Sequence, residues 1–122
     1  MVFTNIGKNL VRDWLGSKFP NPPLYMALGS VGDTATADDT QLGSEIPETR
    51  RGFDSINTSN DRMVEYEMIL PSTVPSSQPV QIREVGLFDS SSSGSMYTHD
   101  SFTAVEKTQD VELQTIIAIR IE

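Results

Sequence analysis

From Val111 to Glu122 the side chains alternate strictly. Val111, Leu113, Thr115, Ile117, Ile119 and Ile121 share one parity, and Glu112, Gln114, Ile116, Ala118, Arg120 and Glu122 share the other. A period of two sends successive side chains to opposite faces of an extended chain, so this run predicts a long strand with one face in a core. Ile116 and Ala118 on the second parity predict partial cover there as well. A chain closing on such a strand must supply further strands to pair with it.

Three other segments meet that demand. Leu24-Tyr25-Met26-Ala27-Leu28-Gly29 is short and uncharged, as a central strand requires. Val64, Tyr66, Met68 and Leu70 alternate with Glu65 and Glu67, predicting a core face and a wet face, and residues 54–61 ahead of them read as a strand end and turn, a candidate hairpin. Val80–Asp89 is apolar but unphased, which a bulge near Gly86 would resolve by placing Ile82 and Val85 with Leu87 or Phe88 against the core. Asp89–Gly94 then forms a hairpin tip, Met96-Tyr97-Thr98-His99 returns as its partner, and Phe102, Ala104 and Val105 form a separate short element. Pro71–Pro79 is a proline and serine loop leading to another edge or sheet.

One helix is expected. Thr4 or Asn5 caps it, Ile6, Leu10, Val11, Trp14 and Leu15 recur at helical spacing, and Gly16 ends it, while Gly7 weakens it slightly. The apolar stripe covers a sheet face or docks a neighbouring subunit with Trp14 as anchor. Pro20, Pro22 and Pro23 reset the chain direction. With no helices for parallel crossovers, the expected fold is mainly β, an antiparallel β-sandwich or flattened barrel with one N-terminal helix. At 122 residues it forms a single domain, 1–122, that buries about two-thirds of its extended surface.

Composition narrows the function. Cysteine is absent, excluding disulfides, thiolate metal sites and thiol nucleophiles. Seventeen acidic residues face nine basic ones, a net charge of -8, which disfavours binding to phosphate backbones and suits a salty medium or basic partner surfaces. No stretch of about 18 apolar residues is present and no basic leader opens the chain, so the product is expected to be soluble, without membrane or nucleic-acid partners.

No reaction centre stands out. His99 is the sole histidine, and no nucleophile elbow accompanies the scattered serines, so it reads as a strand-end or interface residue. Asp33, Asp38 and Asp39 lack the spacing of a calcium loop, and Asp39 or Thr40 could cap a helical turn around Gln41-Leu42. Gly29-Ser30-Val31-Gly32 lacks a following lysine and carries Asp33 where a phosphate-binding loop would be spoiled by negative charge. Arg50 and Arg51 have Glu45 and Glu48 as nearby ion-pair partners. Arg83 and Glu84 read either as a scaffold feature of a bulged strand or as an intersubunit pair. No catalytic, cofactor or metal residues are expected, and the candidate protein-interface residues are Trp14, Arg83, Glu84 and His99.

The order of Thr4–Asn9, Tyr25–Gly32, Asp39–Glu45, Ile82–Asp89 and Gly94–Tyr97 resembles small virion structural proteins of tailed phages and archaeal tailed viruses, and is similar to the attachment region of phage tail-collar fibre proteins. The distinctive part is Glu84–Phe88. Those relatives carry a glycine-threonine-glycine run where this chain has Ser30-Val31-Gly32. The resemblance implies a non-enzymatic component of the tail tip, baseplate or fibre attachment, a homo-oligomer (trimer or hexamer) that contacts other virion proteins, carried in the virion tail after assembly in the host cytoplasm. A capsid decoration or vertex protein is the alternative, and a carbohydrate-binding module using Tyr66, Tyr97 and Trp14 is a third class.

Overall fold

The hairpin of β6 (Val80–Phe88) and β7 (Met96–Lys107) is the spine of the molecule, which the computed structural model describes over residues 1–121. Strands β1 (Val2–Phe3), β2 (Tyr25–Gly29) and β3 (Arg51–Gly52) complete one antiparallel sheet in the order β1-β7-β6-β2-β3; β6 is central, and the uncharged β2 lies inside the sheet between β6 and the short β3. A second antiparallel sheet, β4-β5-β8, is built from β4 (Ser55–Asn57), β5 (Met63–Leu70) and β8 (Leu113–Arg120). The fold is mainly β with one N-terminal helix and a sandwich-like arrangement of two sheets, as the alternation predicts.

Alternation decides which face each strand buries. In β5, Tyr66, Met68 and Leu70 are buried, and in β8 Ile117 joins them. From the other sheet Met26, Leu28, Ile82, Val85, Leu87 and Tyr97 meet them in a single apolar cluster. Each such side chain contributes roughly 1.5–3 kcal/mol by leaving water. The far face of the five-stranded sheet is also covered: Ala27, Leu42, Phe88 and Met96 form a second cluster beneath the loop that joins β2 to β3. That loop is a third layer, and it holds the candidate site.

The helix α1 spans Asn5–Leu15, capped by Thr4, whose hydroxyl oxygen accepts from the Gly7 amide at 2.9 Å and donates to the Met96 carbonyl at 2.5 Å. Gly7 is its one buried residue. A Cβ there would lie 2.9 Å from Tyr97 Cα, so the glycine lets the helix backbone rest on β7. Ile6 and Leu10 are half-buried, whereas Val11, Trp14 and Leu15 face outward, so the apolar stripe covers the sheet only along its first turns.

Three expectations are corrected. Register shifts flank Gly86 as expected, between Ile82 and Glu84 and between Leu87 and Phe88, and Ile82, Val85 and Leu87 reach the core, but the additional residues are on β7 and not on β6, and Gly86 itself pairs regularly with Ala27 and His99. Gly86 is needed for space, since a Cβ would crowd Phe88, Met96 and Leu42. Phe102, Ala104 and Val105 belong to the same irregular strand as Met96–His99, because the shift restores pairing further down β6. No helical turn forms at Gln41-Leu42, since the Asp39 carboxylate is engaged elsewhere.

Candidate functional site

Strand β6 alternates Glu84, Gly86 and Phe88 onto the face beneath the long loop. Glu84 stands opposite Gly29 on β2, and the missing side chain gives its carboxylate room: a Cβ on Gly29 would sit 2.6 Å from Glu84 Cγ. On the other side Gly86 pairs with His99, making His99 and Glu84 diagonal neighbours across the β6–β7 ladder. Glu84 is 1% exposed and His99 6%.

A carboxylate so buried must find donors, and Glu84 finds four. Oε1 accepts from the Gly43 amide at 2.8 Å and contacts His99 Nε2 at 2.9 Å. Oε2 accepts from the Ser44 amide at 3.0 Å and the Val31 amide at 3.2 Å. Burial alone would raise the Glu84 carboxyl, but the amides of Ser44 and Gly43, the His99 ring and the Val31 amide outweigh it and hold it below its ordinary range. The Gly29–Gly32 segment thus does bind an anion through a backbone amide, and the anion is the protein's own.

Beyond His99 the chain of contacts continues. Its Nδ1 lies 2.7 Å from Asp39 Oδ2, and Asp39 also accepts from the Thr36 amide at 2.7 Å. The Thr36 amide, working against slight desolvation and aided by His99, holds Asp39 below its ordinary value. Ionised carboxylates only accept, so both ring nitrogens donate at once when the imidazole is doubly protonated. Asp39, His99 and Glu84 form a continuous path from the loop surface to the sheet.

A neighbouring anchor closes the same loop. The Arg50 guanidinium binds Glu45 twice, at 2.6 and 3.1 Å, stacks 3.8 Å over the Phe88 ring, and donates to the Ser90 and Ser93 carbonyls of the hairpin tip. The expected local ion pair is there, with the additional task of joining loop to hairpin. Asp38 accepts from Asn5 at the start of α1. Among the described residues no group of three His, Asp or Glu side chains is arranged to hold a metal ion.

Of the four candidate interface residues, the structure brings Glu84 and His99 together inside the subunit, buried and with their polar atoms satisfied within the chain. Arg83 points to solvent from the opposite parity, with its stem near Gly32. Trp14 is 40% exposed and packs edge-on against Phe19 at 5.0 Å, away from the other three. Tyr66 and Tyr97 are buried, and Tyr97 donates to the Asn21 carbonyl at 2.5 Å; burial, with Asp89 nearby, pushes its phenol up to about 12.

Lys107 escaped sequence reading altogether. It is 0% exposed, and its Nζ donates to the Ser72 and Thr108 carbonyls and to Gln78 Oε1, pinning the Pro71–Pro79 loop. Desolvation lowers its ammonium from the ordinary value, with Glu112 opposing. A lysine ending an apolar strand beside a polar loop is the sequence signal, but it also fits an exposed strand end.

Comparison with protein families, characterised proteins and solved structures finds no match to this chain.

Proposed function

We propose that the protein is a non-enzymatic virion structural component of the tail tip, baseplate or fibre-attachment region, acting through protein–protein contacts. The observation that carries this reading is the occupied state of Glu84. All its acceptor positions serve amides of Val31, Gly43 and Ser44 and the His99 ring, so the residues best suited to proton transfer are committed to holding a loop on a sheet. The motif that resembles tail-fibre attachment regions, Glu84–Phe88, is the strand that organises this layer. Its glutamate fixes the shape of the surface above it, and a fixed surface is what repeated assembly requires.

The acidic charge supports the same reading, by favouring basic partner surfaces over nucleic acid. Mass spectrometry of purified virus particles, followed by placement of the subunit in their imaged density, tests it. Density at the tail end is the expected result. Density on the head would replace it with a capsid decoration or vertex role, and absence from particles would overturn both.

A further inference from the structure

Among the described residues the outer edge of β8 is an unpaired, eight-residue template. β8 lies at the end of the β4-β5-β8 sheet, bonded to β5 along its whole length on one side. The bond from the Ile121 amide to the Arg62 carbonyl fixes the phase of that ladder: odd-numbered residues of β8 bond to β5. Gln114, Ile116, Ala118 and Arg120 therefore turn their amides and carbonyls outward. Among the described residues none of the usual guards is present on this edge. There is no proline or bulge between Leu113 and Arg120, and the one charge is at its end. Ile116, in the middle, is 52% exposed. The edge also borders a cleft of about 360 Å³ lined by Phe102, Val105, Leu113 and Ile117.

We infer that β8 pairs with β8 of a second copy, antiparallel about a two-fold axis through Ile116, joining two three-stranded sheets into one of six strands. Backbone phase and side-chain complementarity together select a second copy and this register. Antiparallel partners must present side chains to the same face, so a two-fold axis normal to the sheet passes through a residue rather than between residues. Centring on Ile116 places each Ile116 against its symmetry mate, Gln114 against Ala118, and Glu112 against Arg120 twice over. In that register the outward amides and carbonyls of Ile116, and those of Gln114 with Ala118, exchange bonds in pairs. The strand is thus self-complementary in backbone phase, in apolar contact and in charge. This inference is independent of the virion assignment, since it concerns the isolated chain.

The chain has no cysteine, so single cysteines report the register cleanly. Paired residues across such a ladder have Cα atoms about 5.5 Å apart, within disulfide reach. With Ile116→Cys the two thiols face each other, whereas with Gln114→Cys they are displaced by four residues, about 13 Å. Under mild oxidation Ile116→Cys is expected to yield covalent dimer at least tenfold faster than Gln114→Cys. Sedimentation equilibrium of the unmodified protein is expected to show a concentration-dependent dimer that Arg120→Glu weakens at least tenfold and Glu112→Arg combined with Arg120→Glu restores. A wild-type chain that stays monomeric at several hundred micromolar would overturn the inference, as would equal cross-linking at the two positions or failure of the charge-reversed pair to restore association.

Discussion

Gly29 and Glu84 are directly opposed in the β2–β6 ladder, and the glycine exists to make room for the glutamate. Gly29→Ala introduces a methyl group 2.6 Å from Glu84 Cγ, and both residues are held by ladders that cannot yield far. The expected cost is about 1–3 kcal/mol, the usual range for overpacking, read as a lower urea midpoint at unchanged slope. Equal stability of the variant would mean that the carboxylate has another place to go.

Glu84→Ala tests the loop anchor itself. It orphans the amides of Val31, Gly43 and Ser44 and leaves His99 facing a void. Breaking a buried, hydrogen-bonded charge of this kind costs about 3–5 kcal/mol. Hydrogen exchange is expected to show the loss concentrated at residues 30–45, with β5 and β8 protected to nearly the same degree relative to global stability. Asp39→Asn, at the outer end of the path, should cost about 1 kcal/mol or less.

Acid should unfasten the same contacts. Glu84 and Asp39 both have folded-state pKa values depressed below the unfolded ones, so the stability they contribute is complete above the ordinary carboxylate range, near 4.5 and 3.8. It is lost as pH falls through their lower folded values. Melting temperature measured from pH 7 downward is expected to hold until that range and then drop. In Glu84→Ala the acid limb should be shallower, because one of the linked protons is gone; an unchanged limb would show that other carboxylates govern it.

Lys107→Ala removes a buried stem and three donated bonds, and is expected to cost about 2–5 kcal/mol by analogy with truncating other long buried side chains. Limited proteolysis should cut the Pro71–Pro79 loop faster in the variant. Lys107→Met keeps the volume without the donors and should fall between the variant and the parent.

The layers were legible and the site was not, for a physical reason. Ile117, Met68, Leu28 and Thr4 declare strand faces and a helix cap through neighbours within a few residues, and the structure follows them. Glu84 is satisfied by Val31, Gly43, Ser44 and His99, from 15 to 53 residues away, and no local pattern specifies such a meeting. Its trace in the sequence was a lone carboxylate amid Ile82, Val85, Leu87 and Phe88. From local sequence it reads as a scaffold feature of a bulged strand or as half of an intersubunit pair, and the internal anion site at its centre needs the distant amides to be seen. Gly86 is a similar case: the bulges flank it but lie on the partner strand, and the glycine itself makes room for Leu42, 44 residues away in the chain.

Gly7 sets local propensity against packing. In an isolated helix, replacing glycine with alanine gains about 1 kcal/mol. Here the added methyl group would meet Tyr97 Cα at 2.9 Å and the Tyr97 carbonyl oxygen at 2.5 Å, both backbone atoms of a strand paired on each side. Relief requires α1 to lift from β7, which strains the Thr4 bonds to the Met96 carbonyl and the Gly7 amide. Packing should win, with Gly7→Ala less stable by about 1–3 kcal/mol despite its better helix propensity. Thermal denaturation of the variant decides the sign, and increased quenching of Trp14 fluorescence would locate the displacement in the helix. A variant more stable than the parent would show that the helix rests on the sheet loosely enough to shift without cost.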